Sequence, residues 1–98
     1  MSNVPPLIGN QAIFCIECFL EETPIIQQFL RDPQFNINFR MQNGETPFIS
    51  CCLQEKKDIV RMLLETGHVN LRMRVKGKTV TEIVSNDLLH LIKKYDTG

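Results

Sequence analysis

Apolar side chains recur along this chain in short helical periods broken by polar turns. Ile59, Val60, Leu63 and Leu64 share one face of a helix predicted over residues 58–65, with Asp58 as its cap. Thr66-Gly67 ends it, the glycine being suited to a left-handed cap position. Upstream, Asn43-Gly44 reads as a tight turn. Thr46 then caps, and Pro47 opens, a short helix over about residues 47–54. Glu55-Lys56-Lys57 reads as the polar turn between these two helices. Ala12 to Leu20 is apolar at most positions and predicts a buried amphipathic helix.

The pattern repeats. Gly44-Glu45-Thr46-Pro47 returns further on as Gly77-Lys78-Thr79-Val80. Phe14, Cys18, Ile25, Ile26, Phe29 and Leu30 each precede Phe48, Cys52, Ile59, Val60, Leu63 and Leu64 by one constant interval. Downstream, Thr79 starts a helix with Ile83 and Val84. Asn86-Asp87 reads as a turn, and Leu88, Leu91 and Ile92 line a last helix ending in Lys93-Lys94. Lysines there suit a helix C-terminus. A period of roughly 33–34 residues points to stacked supersecondary units.

Gly44-Glu45-Thr46-Pro47-Phe48, Cys51-Cys52, Asp58-Ile59-Val60, Leu63-Leu64, Gly67 and Val69-Asn70 resemble the consensus of an ankyrin repeat. The resemblance covers about residues 10–95. It implies one domain over 1–98 with repeats at roughly 10–40, 41–73 and 74–95. The implied fold is all-α, a small solenoid of stacked helix-turn-helix units with β-hairpin-like finger arms. Departures from the pattern are Ile49 in place of histidine, Glu55 in place of the inter-helix glycine, Val80 in place of proline, Glu17 in place of a small residue and Asn10 in place of a turn glycine. Such erosion is characteristic of end repeats.

Composition fits a folded domain of 98 residues, with 43% hydrophobic and 22% charged residues. The net charge is zero, which gives no general attraction to nucleic acid or anionic membrane. The charge is polarised, though: residues 1–39 sum to −3 and residues 40–98 to +3. No stretch approaches the ~20 apolar residues of a membrane span. With no secretory signal pattern, the cysteines are expected as free thiols of an intracellular protein, in cytoplasm or nucleus.

Candidate chemistry is thin. Cys15 and Cys18 can share a helix face, while Cys51 and Cys52 point about 100° apart. No paired CxxC spacing offers four converging metal ligands. In register, Cys18 and Cys52 occupy equivalent positions, where close helix packing favours small apolar side chains. His68 and His90 lack a nearby nucleophile and carboxylate in sequence. The expectation is a protein that is not an enzyme and holds no cofactor or metal.

What remains is surface. Arg72, Arg74, Lys76 and Lys78 alternate with apolar residues along an arm and form a basic stripe suited to an acidic protein segment. No aromatic residue interleaves with them, so base stacking is not indicated. The ankyrin resemblance implies partner binding through finger tips and the exposed side of each first helix. That surface maps to Arg40, Gln42, Asn43, Glu45, Leu53 and Gln54, then to Arg72, Met73, Arg74, Val75, Lys76 and Lys78. Non-catalytic binding of another protein is the function implied. The alternatives are an end-capping or self-associating structural piece and, more remotely, a cysteine-based metal or redox protein.

Overall fold

In a computed structural model, residues 9–96 are described; the outermost ends of the expected 1–98 domain lie outside them. Glu21 and Glu55 show why the chain folds into paired helices. Both hold left-handed backbone, at φ 58° and 57°, and they occupy equivalent places in successive pairs. Each closes the first helix of its pair. Glu21 N–H donates to the Cys18 carbonyl and Glu22 N–H to the Glu17 carbonyl; Glu55 and Lys56 N–H donate likewise to Cys52 and Cys51. This is the paired hydrogen-bond pattern that usually ends a helix at glycine. Here a glutamate adopts it twice, so the inter-helix turn keeps its geometry without the glycine.

The elements are α1 (Gly9–Leu20), α2 (Thr23–Arg31), α3 (Pro47–Leu53), α4 (Lys57–Glu65), β1 (Arg74–Val75), β2 (Lys78–Thr79), α5 (Val80–Ile83) and α6 (Asn86–Tyr95). The described chain is thus mostly helical, with one small antiparallel sheet in the arm before α5. α1 packs on α2 and α3 on α4; α3 also packs on α1 and on α5, and α4 on α6.

Local capping sets the helix starts. Ile49 N–H donates to Thr46 Oγ1 at 3.2 Å, with Pro47 in the first turn, as anticipated. Thr79 caps α5 through a reciprocal box with Glu82. An expected cap and an expected turn are corrected. α4 starts at Lys57, with Lys56 as an N-cap whose side chain makes no capping bond and turns instead to the Phe19 carbonyl and Glu21, so Asp58 lies inside the first turn. The left-handed turn at Glu55 already aims the chain into the helix. Likewise Asn86-Asp87 belongs to α6, capped by Ser85, whose hydroxyl accepts from Leu88 N–H at 3.4 Å. Ser85 is the better-placed hydroxyl, and an acidic Asp87 in the first turn favours the helix dipole.

The core runs through all three helix pairs. Phe14 lies at its N-terminal end, edge-on to Phe29 and tilted against Phe35 at centroid distances of 5.6 and 4.9 Å. Ile26, Phe48, Cys52, Ile59, Val60, Leu63, Leu88 and Ile92 continue it, all buried. The helix over Ala12–Leu20 is only half buried, contrary to expectation. Phe14 and Cys18 are inside, while Ile13, Ile16, Phe19 and Leu20 face outward. No helix among the described residues is long and apolar enough to cross a membrane.

Candidate protein-binding groove

The arms before the second and third helix pairs are built alike. In the first, Gly44 takes φ +85° and its N–H donates to the Met41 carbonyl at 2.9 Å, while Met41 N–H donates to the Glu45 carbonyl at 2.7 Å. Asn43 Oδ1 accepts from Glu45 N–H at 3.0 Å and fixes the tip. In the second, β1 and β2 pair with Arg74 opposite Thr79 and Val75 opposite Lys78. The connecting Lys76-Gly77 has φ 53° and 81°. Positive φ at both positions matches the twist of the strands they join.

Two arginines in equivalent positions stiffen these arms. Arg40 Nη1 donates to the Gly44 carbonyl at 2.7 Å and Arg74 Nη1 to the Gly77 carbonyl at 3.0 Å. Arg40 Nη1 also reaches the Arg74 carbonyl at 2.8 Å and ties one arm to the next. Below them, Asn38 Nδ2 donates to the His68 carbonyl and Asn38 Oδ1 accepts from Asn70 N–H, both at 2.8 Å. The spacing between arms is therefore held by side chain to backbone bonds at two levels.

Between the arms lies an open groove of about 410 Å³, lined by Asn43, Glu45, Leu53, Val75, Lys76, Lys78 and Ile83. All but Ile83 were nominated from the sequence. Leu53, at 46% exposure, Val75 and Ile83 form its apolar part; Lys76, Lys78 and Glu45 bring both signs of charge. The mixture of an apolar floor and a charged rim is what a peptide or loop of another protein needs from a binding surface.

The other nominated residues lie elsewhere. Arg40 spends its guanidinium on carbonyls, as above. Gln42 is exposed at the first tip and is not part of the groove lining. Gln54 turns back to donate to Ser50 Oγ at 2.9 Å and borders a different cavity. Arg72 reaches Asp96 Oδ1 at 3.5 Å. Arg74 is turned to its own hairpin and Met73 is half-buried. The basic stripe therefore does not persist as one row, because the chain reverses at Lys76-Gly77. Ile83 was missed; the only hint was its place one short turn after Thr79.

The cysteines cluster between α1 and α3. Cys15, Cys18, Phe19, Met41, Pro47, Ser50, Cys51, Gln54 and Lys56 surround a cavity of about 150 Å³. Cys15 Sγ donates to Met41 Sδ at 3.5 Å. Cys18 and Cys51 face each other across this cavity, while Cys52 lies outside its lining. A hydrogen bond from Cys18, helped by nearby Lys56, holds the Cys51 thiol below its ordinary pKa against the effect of burial. The same bond and burial raise Cys18. Burial pushes Cys15 up to about 11. Among the described residues, no group of three or more His, Cys, Asp or Glu side chains is placed to hold a metal ion.

Comparison with known proteins adds no relative: no protein-family model, curated protein or solved structure matches the chain. The ankyrin resemblance rests on the chain's own residues.

Proposed function

We propose that the chain is a non-catalytic protein-binding module, built as a short ankyrin-type stack, and that its groove between the arms takes an extended segment of another protein. The observation that carries this reading is the convergence of Asn43, Glu45, Leu53, Val75, Lys76 and Lys78 on one groove. These residues come from two arms and one helix, and arms cross-tied through Arg40 and Asn38 present them in a fixed geometry. A preformed surface loses little ordering entropy on binding. Two lysines against one glutamate in the lining favour a partner segment with net acidic character.

The test is capture of intracellular proteins by the immobilised chain, with Val75→Asp and Lys76→Ala run in parallel. A partner lost with both variants, while their circular dichroism matches that of the parent, supports the groove. A partner retained equally by all three chains refutes it. Arg40→Ala is unsuitable as a binding variant because it would loosen both arms at once.

A further inference from the structure

α1 carries a second surface, unrelated to the groove. Ile13, Ile16 and Leu20 are 45%, 54% and 56% exposed, and Ile25 at the start of α2 is 38% exposed. The molecule's own repeat explains why they are bare. One period on, Ile13, Ile16, Glu17 and Leu20 become Pro47, Ser50, Cys51 and Gln54. These four form the side of α3 and its C-cap that borders α1 across the cysteine cavity. Ile25 becomes Ile59, which is fully buried. The open face of α1 and α2 is thus the face that the next helix pair packs against its predecessor. It is apolar where an outer end of a stack is expected to be polar.

The α1 part of the face has one charge, Glu17, and Glu22, the position that becomes Lys56 one period on, adds a second carboxylate at its edge; both call for a cationic occupant. Ile13, Ile16, Glu17 and Leu20 follow the i, i+3, i+4, i+7 spacing of one helix side. Glu17 therefore stands amid the apolar residues, half-buried, and no ion pair joins it to the other described residues. A helix covering this face must bring a cation to Glu17 or leave a carboxylate desolvated. A second copy seated about a two-fold axis would instead set two Glu17 carboxylates against each other. The α6 helix of a second copy has lysines, but its apolar side chains Leu88 and Ile92 are already buried. At 12 residues, about 18 Å long, α1 offers room for one helix of three to four turns.

We infer that the open face of α1 is a docking site for an amphipathic helix of another protein, one that presents apolar residues at i, i+3 and i+7 and an arginine or lysine at i+4 to meet Glu17. Affinity comes from covering Ile13, Ile16, Leu20 and Ile25, and specificity from the ion pair formed as water leaves.

The probe is a fluorescein-labelled, alanine-based helical peptide long enough to run the length of α1, with leucines at i, i+3 and i+7 and arginine at i+4. It is paired with a version carrying glutamate at i+4. Fluorescence anisotropy is read against the full chain, Glu17→Gln and Ile16→Glu, with light scattering on each. The expected result is that the arginine peptide binds at least about tenfold more tightly than the glutamate peptide. Glu17→Gln should erase that difference and Ile16→Glu should abolish binding of both, with the circular dichroism unchanged because Ile16 is exposed. Lys76→Ala, in the groove, should change nothing, which separates this site from the groove. No binding of the arginine peptide, equal binding of the two peptides, or binding that survives Ile16→Glu would overturn the inference. So would a dimer of the parent chain that Ile16→Glu converts to monomer, since the occupant would then be a second copy.

Discussion

Thr46 is a small residue with a disproportionate role. It is buried, and its hydroxyl satisfies the otherwise unpaired Ile49 N–H at the start of α3. Thr46→Ala should cost about 1 kcal/mol, lowering the thermal midpoint by about 4–8 °C, whereas Thr46→Ser should recover most of it. Equal midpoints for the alanine variant and the parent would show that water or a shifted backbone serves the amide as well. The Lys57–Asp87 pair is a contrasting case. Its 2.9 Å contact raises the lysine and lowers the aspartate, yet both side chains are exposed and screened. A lowered carboxylate pKa gives stability that is present above the unfolded value and lost as pH falls through the folded one. Asp87→Asn should therefore lower the midpoint slightly at neutral pH, by less than Thr46→Ala. It should make no difference once the pH is well below the usual carboxylate range. A variant deficit that persists in acid would show that neither the ion pair nor the helix dipole, both of which need the ionised carboxylate, accounts for it.

At the scale of elements, the second arm shows a conflict between folding and recognition. Lys76 has φ +53°, a left-handed conformation that side-chain-bearing residues other than asparagine and aspartate rarely adopt, yet it also lines the groove. Lys76→Asn should therefore stabilise the hairpin, read as slower amide exchange over residues 74–79, while weakening capture of a groove partner. Faster exchange in that variant would mean that the lysine side chain itself holds the turn. The same elements show which parts of the fold were legible in the residues. Caps such as Thr46 and Thr79 were readable because they act within three positions. The turn before α4 was legible at Glu55-Lys56-Lys57, but the helix start was placed one residue late, because the left-handed Glu55 lets the helix begin at Lys57 without the side-chain cap assigned to Asp58. Most of the groove was legible, since Asn43, Glu45, Val75, Lys76 and Lys78 follow from where the turns lie. Arg40 was misplaced because its second acceptor, the Arg74 carbonyl, lies a whole repeat away in the chain. The exposure of Ile13 and Ile16 was unreadable too, because their spacing is that of any buried helix.

For the whole molecule, the contact pattern is that of a row. α1 and α2 meet the rest chiefly through α1 on α3, and α6 meets it through α4. The aromatic cluster of Phe14, Phe29, Phe35 and Phe39 belongs to the N-terminal end of that row. In the stack proposed above, stability would be close to a sum over neighbouring units, although the buried side chains from Phe14 to Ile92 form one connected cluster. Phe14→Ala removes a fully buried ring from that end and should cost about 3–5 kcal/mol. A domain of this size has about 5–15 kcal/mol in all, so the loss is large but confined. The expected outcome is local: amides of α1 and α2 exchange much faster, while α4 and α6, whose buried Ile59, Leu63, Leu88 and Ile92 lie beyond the ring, keep most of their protection. Hydrogen exchange read by mass spectrometry at peptide resolution distinguishes this from a cooperative loss. If protection in α6 falls in step with that in α1, the chain folds as one unit and the row description fails. If α1 and α2 alone are lost, the open apolar face on α1 identifies the end of the row that a docked helix would stabilise most.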